Sequence, residues 1–220
     1  MNRYLEGGFA PVNEEVTAFD LPVTGSIPDH LDGRYLRIGP NPRLDGPEAV
    51  SPEGYHWFLG AGMVHGVRIE DGQARWYRNR WVRPTSGDFA PNTNVIEHAG
   101  ATMAMVEAGS PPYELTHELE TVGRCGFAGD LAAGYTAHPD EDPATGELHA
   151  VSYSWTRGNR VDYSVLDTAG RIRHQVDVEV HGSPMMHDFA LTEHSAVTYG
   201  LPVTVLLDMV AGSIPRPLRL

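Results

Sequence analysis

HGVRIEDGQARWYRNRWVR, residues 65 to 83, decides the fold class. It reads as two extended runs joined at Asp71-Gly72, a dipeptide suited to the left-handed backbone of a two-residue hairpin turn. The same rhythm extends in both directions. GRYLRIGP (33–40) reads as a short strand, and TNVIEHAGATMAMVEAG (93–109) as a hairpin turning at Ala99-Gly100. GELHAVSYSW (146–155) is followed by RVDYSVLDTAGRIRHQVDVEV (160–180), which turns around Thr168-Ala169-Gly170. The 24 glycines and 17 prolines punctuate short runs instead of filling one tract. No segment carries a 3.6-residue apolar stripe over three turns, so little helix is expected. The chain is predicted to be all-β. Sandwich, barrel and propeller share this strand spacing, but a weak echo between MAMVEAGSPPYELTHELETVG and HAVSYSWTRGNRVDYSVLDTAGRIRHQVDVEV favours a propeller.

Length and charge narrow the function classes. The 220 residues can build a sizeable core, and a formal charge of −13 repels a nucleic-acid backbone. DNA and RNA are therefore not expected as partners. A single cysteine, Cys125, excludes an internal disulfide framework and suits a reducing compartment. The N-terminus lacks the apolar stretch of a secretory signal, and the most apolar run, 201–212, is broken by Pro202 and Asp208. The expected location is the cytoplasm, with room for a peripheral membrane contact.

Most of the eleven histidines read as polar turn or exposed strand positions. Two differ. His138 precedes Pro139, which forces it toward an extended backbone, and a Pro-Ala-Thr-Gly turn then sends the chain back as a strand. His187, in SPMMHDFALTEH (183–194), follows two methionines inside a run that otherwise resembles a buried strand. Singly, each reads as a hydrogen-bonded core histidine. Together they suggest a metal site assembled from strand ends, since neutral imidazole is a common ligand of first-row metals. A ligating imidazole usually hands its second N–H to a carboxylate or carbonyl. Glu107, at the end of an apolar strand, is the candidate, with solvent exposure at the start of a loop as the alternative. No nucleophile elbow, P-loop, GxGxxG or paired-cysteine zinc motif is present, so covalent hydrolysis, phosphate handling and dinucleotide binding lack local support.

GRYLRIGPNP (33–42), HWFLGAGMVHG (56–66), NTNVIEHAG (92–100), YTAHPDEDPATGELHAVSY (135–153) and MMHDFALTEH (185–194) together resemble the N-terminal half of the carotenoid cleavage oxygenase family. The resemblance runs to about Asp208, so residues 1–208 are expected to form part of a β-propeller oxygenase domain and 209–220 an irregular tail, truncated or frame-shifted. It implies a seven-bladed β-propeller, about half of whose blades are present, with ferrous iron, Fe(2+), held on the axis by four histidines. His138 matches the first iron ligand and His187 the second. Glu107 matches the first of three glutamates that stand behind the ligands, here orienting His187, while His138 is expected to lack a carboxylate partner. The implied chemistry is O2-dependent scission of a conjugated C=C bond of an apolar polyene, a carotenoid or apocarotenoid, into two carbonyl products. Stilbene-cleaving members carry a lysine just before that glutamate; Val106 stands here, which favours the carotenoid type and leaves a stilbene-type phenylpropanoid as the alternative substrate.

Two departures from the family pattern matter. Phe58-Leu59-Gly60-Ala61-Gly62-Met63 replaces the usual Phe-Asp-Gly-Asp-Gly-Met. The third and fourth histidine ligands and two further glutamates belong to a C-terminal half required for the full metal site, so the 220-residue chain alone is expected to be inactive and prone to aggregate through open strand edges. The competing reading is a non-catalytic propeller fragment that binds an apolar ligand or partner and uses His138 and His187 only as core polar residues.

Overall fold

The structure, a computed structural model, describes residues 2–46, 49–127, 131, 134–154, 156–182, 185–200, 204–205 and 218–219. It is all-β, with short 3-10 segments that include Arg3–Leu5, Gly7–Phe9 and Trp57–Leu59. The first sheet comprises β1 (Thr17–Phe19), β2 (Gly33–Pro40), β3 (Gly62–Glu70) and β4 (Gln73–Trp81), in the order β1-β4-β3-β2. The second is a meander of β5 (Asn94–His98), β6 (Ala101–Met105), β7 (Tyr113–Leu115) and β8 (Thr121–Arg124). The third is a meander of β9 (Asp140–Glu141), β10 (Leu148–Tyr153), β11 (Arg160–Leu166) and β12 (Ile172–Glu179). A fourth, two-stranded among the described residues, is the hairpin β13 (Phe189–Leu191) and β14 (Ala196–Thr198).

The hairpins close where the local chemistry directs. Asp71 and Gly72 both adopt positive φ, 49° and 68°, as do Ala99 and Gly100 at 52° and 78°, which matches the turn to the right-handed twist of its strands. Gly170, at φ 73°, serves the β11–β12 connection. Asp167 braces that turn, its carboxylate accepting from the Ala169 and Arg171 amides at 2.9 and 3.0 Å.

Face-to-face packing of consecutive sheets accounts for the sequence pattern. On β6, Ala104 joins Val64, Trp76, Tyr113 and Leu115 between sheets one and two, while Met103 and Met105 join Tyr135, Leu148 and Leu166 between sheets two and three. Alternate side chains leave opposite faces of a strand, and both faces here are covered, so ATMAM shows little polar alternation. A third cluster, Ala108, Val151, Tyr153, Val161, Met186 and Phe189, fills the space between sheet three and the β13–β14 hairpin.

A second device binds the N-terminal segment to sheet one. The Asn41 side chain pairs with both backbone groups of Val12, and Asn79 bonds Glu14 O and Val16 N, fixing the approach to β1 as the outer strand beside β4.

The expectation of an irregular stretch over 209–220 falls outside the described residues, apart from β16 (Leu218–Arg219), which pairs with β15 (Thr204–Val205). Among the described residues, no helix is long and apolar enough to cross a membrane.

Candidate metal centre

Strand direction brings three distant segments to one end of the molecule. The Asn94 side chain, at the start of β5, donates to Ala137 O just ahead of β9, at 3.0 Å. His98, at the end of β5, meets Asp167 O just beyond β11 at 2.9 Å, and the end of β11 lies level with the end of β9 through Leu148. β5 and β9 therefore run parallel. Chain entering β9 and chain leaving β6 share an end.

His138 and Pro139 immediately precede β9, and His187 and Asp188 immediately precede β13, so the two histidines hold equivalent places in successive sheets. Asn94 steadies the peptide before His138, and the His138 amide lies 3.4 Å from Thr136 Oγ1. His187 stands between the buried anchors Met186 and Phe189, and Asp188 Oδ1 accepts from the Phe189 amide at 2.8 Å. Glu107 lies two residues past β6, in a turn made by positive φ at Ala108 and Gly109, 59° and 110°. Ala108 packs in the same cluster as Met186. That shared cluster joins the glutamate's loop to the histidine's.

The three side chains expected to act together do converge. The rings of His138 and His187 lie 4.4 Å apart between centroids and inclined at 64°, and one potential ligand atom from each of Glu107, His138 and His187 falls within 4.8 Å of the other two. Glu107 Oε2 is 2.7 Å from His187 Nδ1. Contact with this carboxylate is the largest influence on His187 and holds its imidazole above the ordinary range, against the opposing effect of partial burial. Both Glu107 oxygens are shut off from solvent, and the close approach to His187 Nδ1 falls short of a well-aligned hydrogen bond. Among the described residues no carboxylate pairs with the His138 ring.

One feature differs from the sequence expectation. His187 is not in a strand and its side chain is 49 % exposed, because Met186 and Phe189 take the buried positions on either side and leave the imidazole at the open end of the sheets. Two other histidines find local uses the sequence did not disclose. His65 and His149 each meet a tyrosine across a hairpin, Tyr77 at 2.9 Å and Tyr163 at 2.7 Å.

The donor set suits a divalent first-row metal. Two imidazoles from separate sheets face each other, and a shielded carboxylate touches the Nδ1 of one, which would leave Nε2 of that ring for the metal. The glutamate's support is also built in. A Cβ on Gly134 would lie 2.5 Å from Gly109 C, so these two backbones are in contact beneath the loop that carries Glu107.

The family profile described as retinal pigment epithelial membrane protein matches residues 9–88 and 84–216. A carotenoid cleavage oxygenase of Mycobacterium tuberculosis is 58 % identical over 99 % of this chain and 47 % of its own length. A carotenoid 9,10(9',10')-cleavage dioxygenase 1 of Arabidopsis thaliana is 34 % identical over 91 % of this chain and 45 % of its own. The crystal structure of a Pseudomonas brassicacearum lignostilbene dioxygenase superposes with a TM-score of 0.83 at 28 % identity, covering 93 % of this chain and 48 % of that one. The chain thus spans about half the length of the relatives it matches.

Proposed function

This chain belongs to the carotenoid oxygenase family described as retinal pigment epithelial membrane protein, and on that premise we propose that it forms the N-terminal part of an iron(II)-dependent dioxygenase that cleaves a conjugated C=C bond of a carotenoid or apocarotenoid. The observation that carries this reading is the meeting of His138, His187 and Glu107 at one end of the sheets.

Bound iron would supply O2 activation. His138 and His187 would each present one ring nitrogen to the metal as neutral donors, adding no negative charge. Glu107 Oε2, 2.7 Å from His187 Nδ1, would accept that nitrogen's proton once the ring turns to the metal and so fix which nitrogen is free. Asn94 and the Ala108–Met186 packing keep the two ring-bearing segments in register. A complete set of four imidazoles needs donors from outside these 220 residues, so the chain alone is proposed to be inactive.

Val106, buried beside Glu107, supports the carotenoid type of substrate. An aliphatic side chain cannot hydrogen-bond a phenol, and the 58 %-identical relative is named a carotenoid cleavage oxygenase. The substrate would be apolar and O2 the second reactant, with a peripheral membrane contact as one route of supply.

The test is to supply the whole protein with carotenoids and a stilbene under 18O2 and identify the products by mass spectrometry. Aldehyde or ketone products carrying 18O from a carotenoid are expected. Turnover of the stilbene alone would transfer the assignment to the phenylpropanoid class, and absence of any 18O product would favour a non-catalytic binding module.

A further inference from the structure

Sheets one to three each end in an outer strand, and one of these edges is unlike the others. β1 offers three residues and β8 four, whereas β12 offers eight, Ile172–Glu179, without proline or glycine. It pairs with β11 alone among the described strands, and seven of its eight positions are exposed. The Val180 amide donates to Asn159 O at 2.8 Å, and the pairs Val178–Val161, Val176–Tyr163 and His174–Val165 continue that ladder at every second residue. The amides and carbonyls of Gln175, Asp177 and Glu179 therefore point away from β11, to the open edge. A row of unpaired backbone groups of this length is a template for another strand.

Charge along this edge says which strand. Arg171 and Arg173 stand at its start, Asp177 and Glu179 at its end. A strand sorted in this way complements a copy of itself running antiparallel, because each acidic end then lies beside a basic one. A parallel in-register copy would set like charges side by side. Two-fold register about Val176 satisfies both backbone and side chains: Gln175 faces Asp177 of the copy, Arg173 faces Glu179, and Val176, 41 % exposed, meets its own copy at the axis. Gln175 and Asp177 both turn their backbone outward, so this register closes about four backbone hydrogen bonds between the copies. Each charge also has a partner in its own chain, Arg173 with Glu147, Asp177 with Arg157 and Arg160, and Glu179 with Asn159. Across the edge they set partner and register, while the backbone bonds and Val176 supply the attraction.

We propose that β12 is a homodimer interface: the edges of two copies pair antiparallel about Val176 and join their third sheets into one continuous sheet. The partner is a second copy of this chain. A contact confined to one strand edge gives a weak, concentration-dependent dimer. His138, His187 and Glu107 take no part in it, so it stands or falls apart from the metal reading.

Sedimentation velocity of the whole protein over about 1 to 100 µM tests the proposal, and the mass is expected to rise from one chain toward two. Gln175→Pro removes an outward N–H and none that faces β11, so it should weaken association at least about tenfold, whereas Gln175→Ala keeps that N–H and should change it by less than about threefold. Arg173→Glu and Glu179→Arg each set like charges opposite and should weaken association about tenfold. An equal mixture of these two variants should restore it, because only the mixed pair sets opposite charges at both contacts, and restoration shows that both variants are folded. A whole protein that stays monomeric over the range overturns the proposal. So does a dimer that survives Gln175→Pro and both charge reversals, since it then uses another surface.

Discussion

Glu107 Oε2 and His187 Nδ1 meet at 2.7 Å although one follows β6 of the second sheet and the other precedes β13 of the fourth. The contact depends on Ala108 and Met186, neighbours of each, sharing one apolar cluster. Packing therefore sets the geometry of a polar pair.

Glu107→Gln in the whole protein is expected to lower iron affinity about 10- to 100-fold while leaving the far-UV spectrum unchanged, since the amide keeps the volume and loses the charge that orients the ring. Titration with Fe(II) under anaerobic conditions measures it. An affinity within a factor of two of the parent would remove Glu107 from the site.

Gly134→Ala should damage the fold and the site together. Gly134 has φ +82° and its new Cβ would meet the backbone of Gly109 at 2.5 Å. A left-handed alanine costs about 1–2 kcal/mol before any collision, so thermal unfolding should shift downward by several degrees, with a matching loss of bound metal. Gly158→Ala, also at positive φ but with open space around it, is the control and should lower stability without moving metal affinity.

The β11–β12 turn supplies a pH dependence with a definite sign. The Arg171 amide, with the Arg171 guanidinium and the Ala169 amide, holds the Asp167 carboxyl below the usual carboxylate range. A folded value below the unfolded one, about 3.9, means the stabilisation is complete above the unfolded value and is lost as pH falls through the folded one. Stability measured by denaturant titration between about pH 2 and 5 should fall less steeply in Asp167→Asn than in the parent. Equal slopes would show that the carboxylate contributes nothing to that window.

Much of the fold was legible because hairpin turns are written locally. Asp71, Gly72 and Gly100 tolerate positive φ, Ala99 is held there by the turn, and the strands on either side follow. The pairing of β1 with β4 was not legible, since it depends on Asn41 and Asn79 capturing the backbone of a remote segment. Nor was β9, whose two residues are too few for any periodicity. Of the site, His138 was visible as a histidine held at a strand end and His187 as a polar residue inside an apolar run, and the family resemblance supplied their roles. The exposure of His187 was hidden, because Met186 and Phe189 look the same in sequence whichever of the neighbouring side chains turns inward.

The most direct test of the metal assignment is the iron content of the whole protein compared with that of His187→Ala, using the exposed His194→Ala as control. About one iron per chain is expected in the parent and in His194→Ala, and a loss of at least tenfold in His187→Ala. Retention of full iron in His187→Ala would contradict the account.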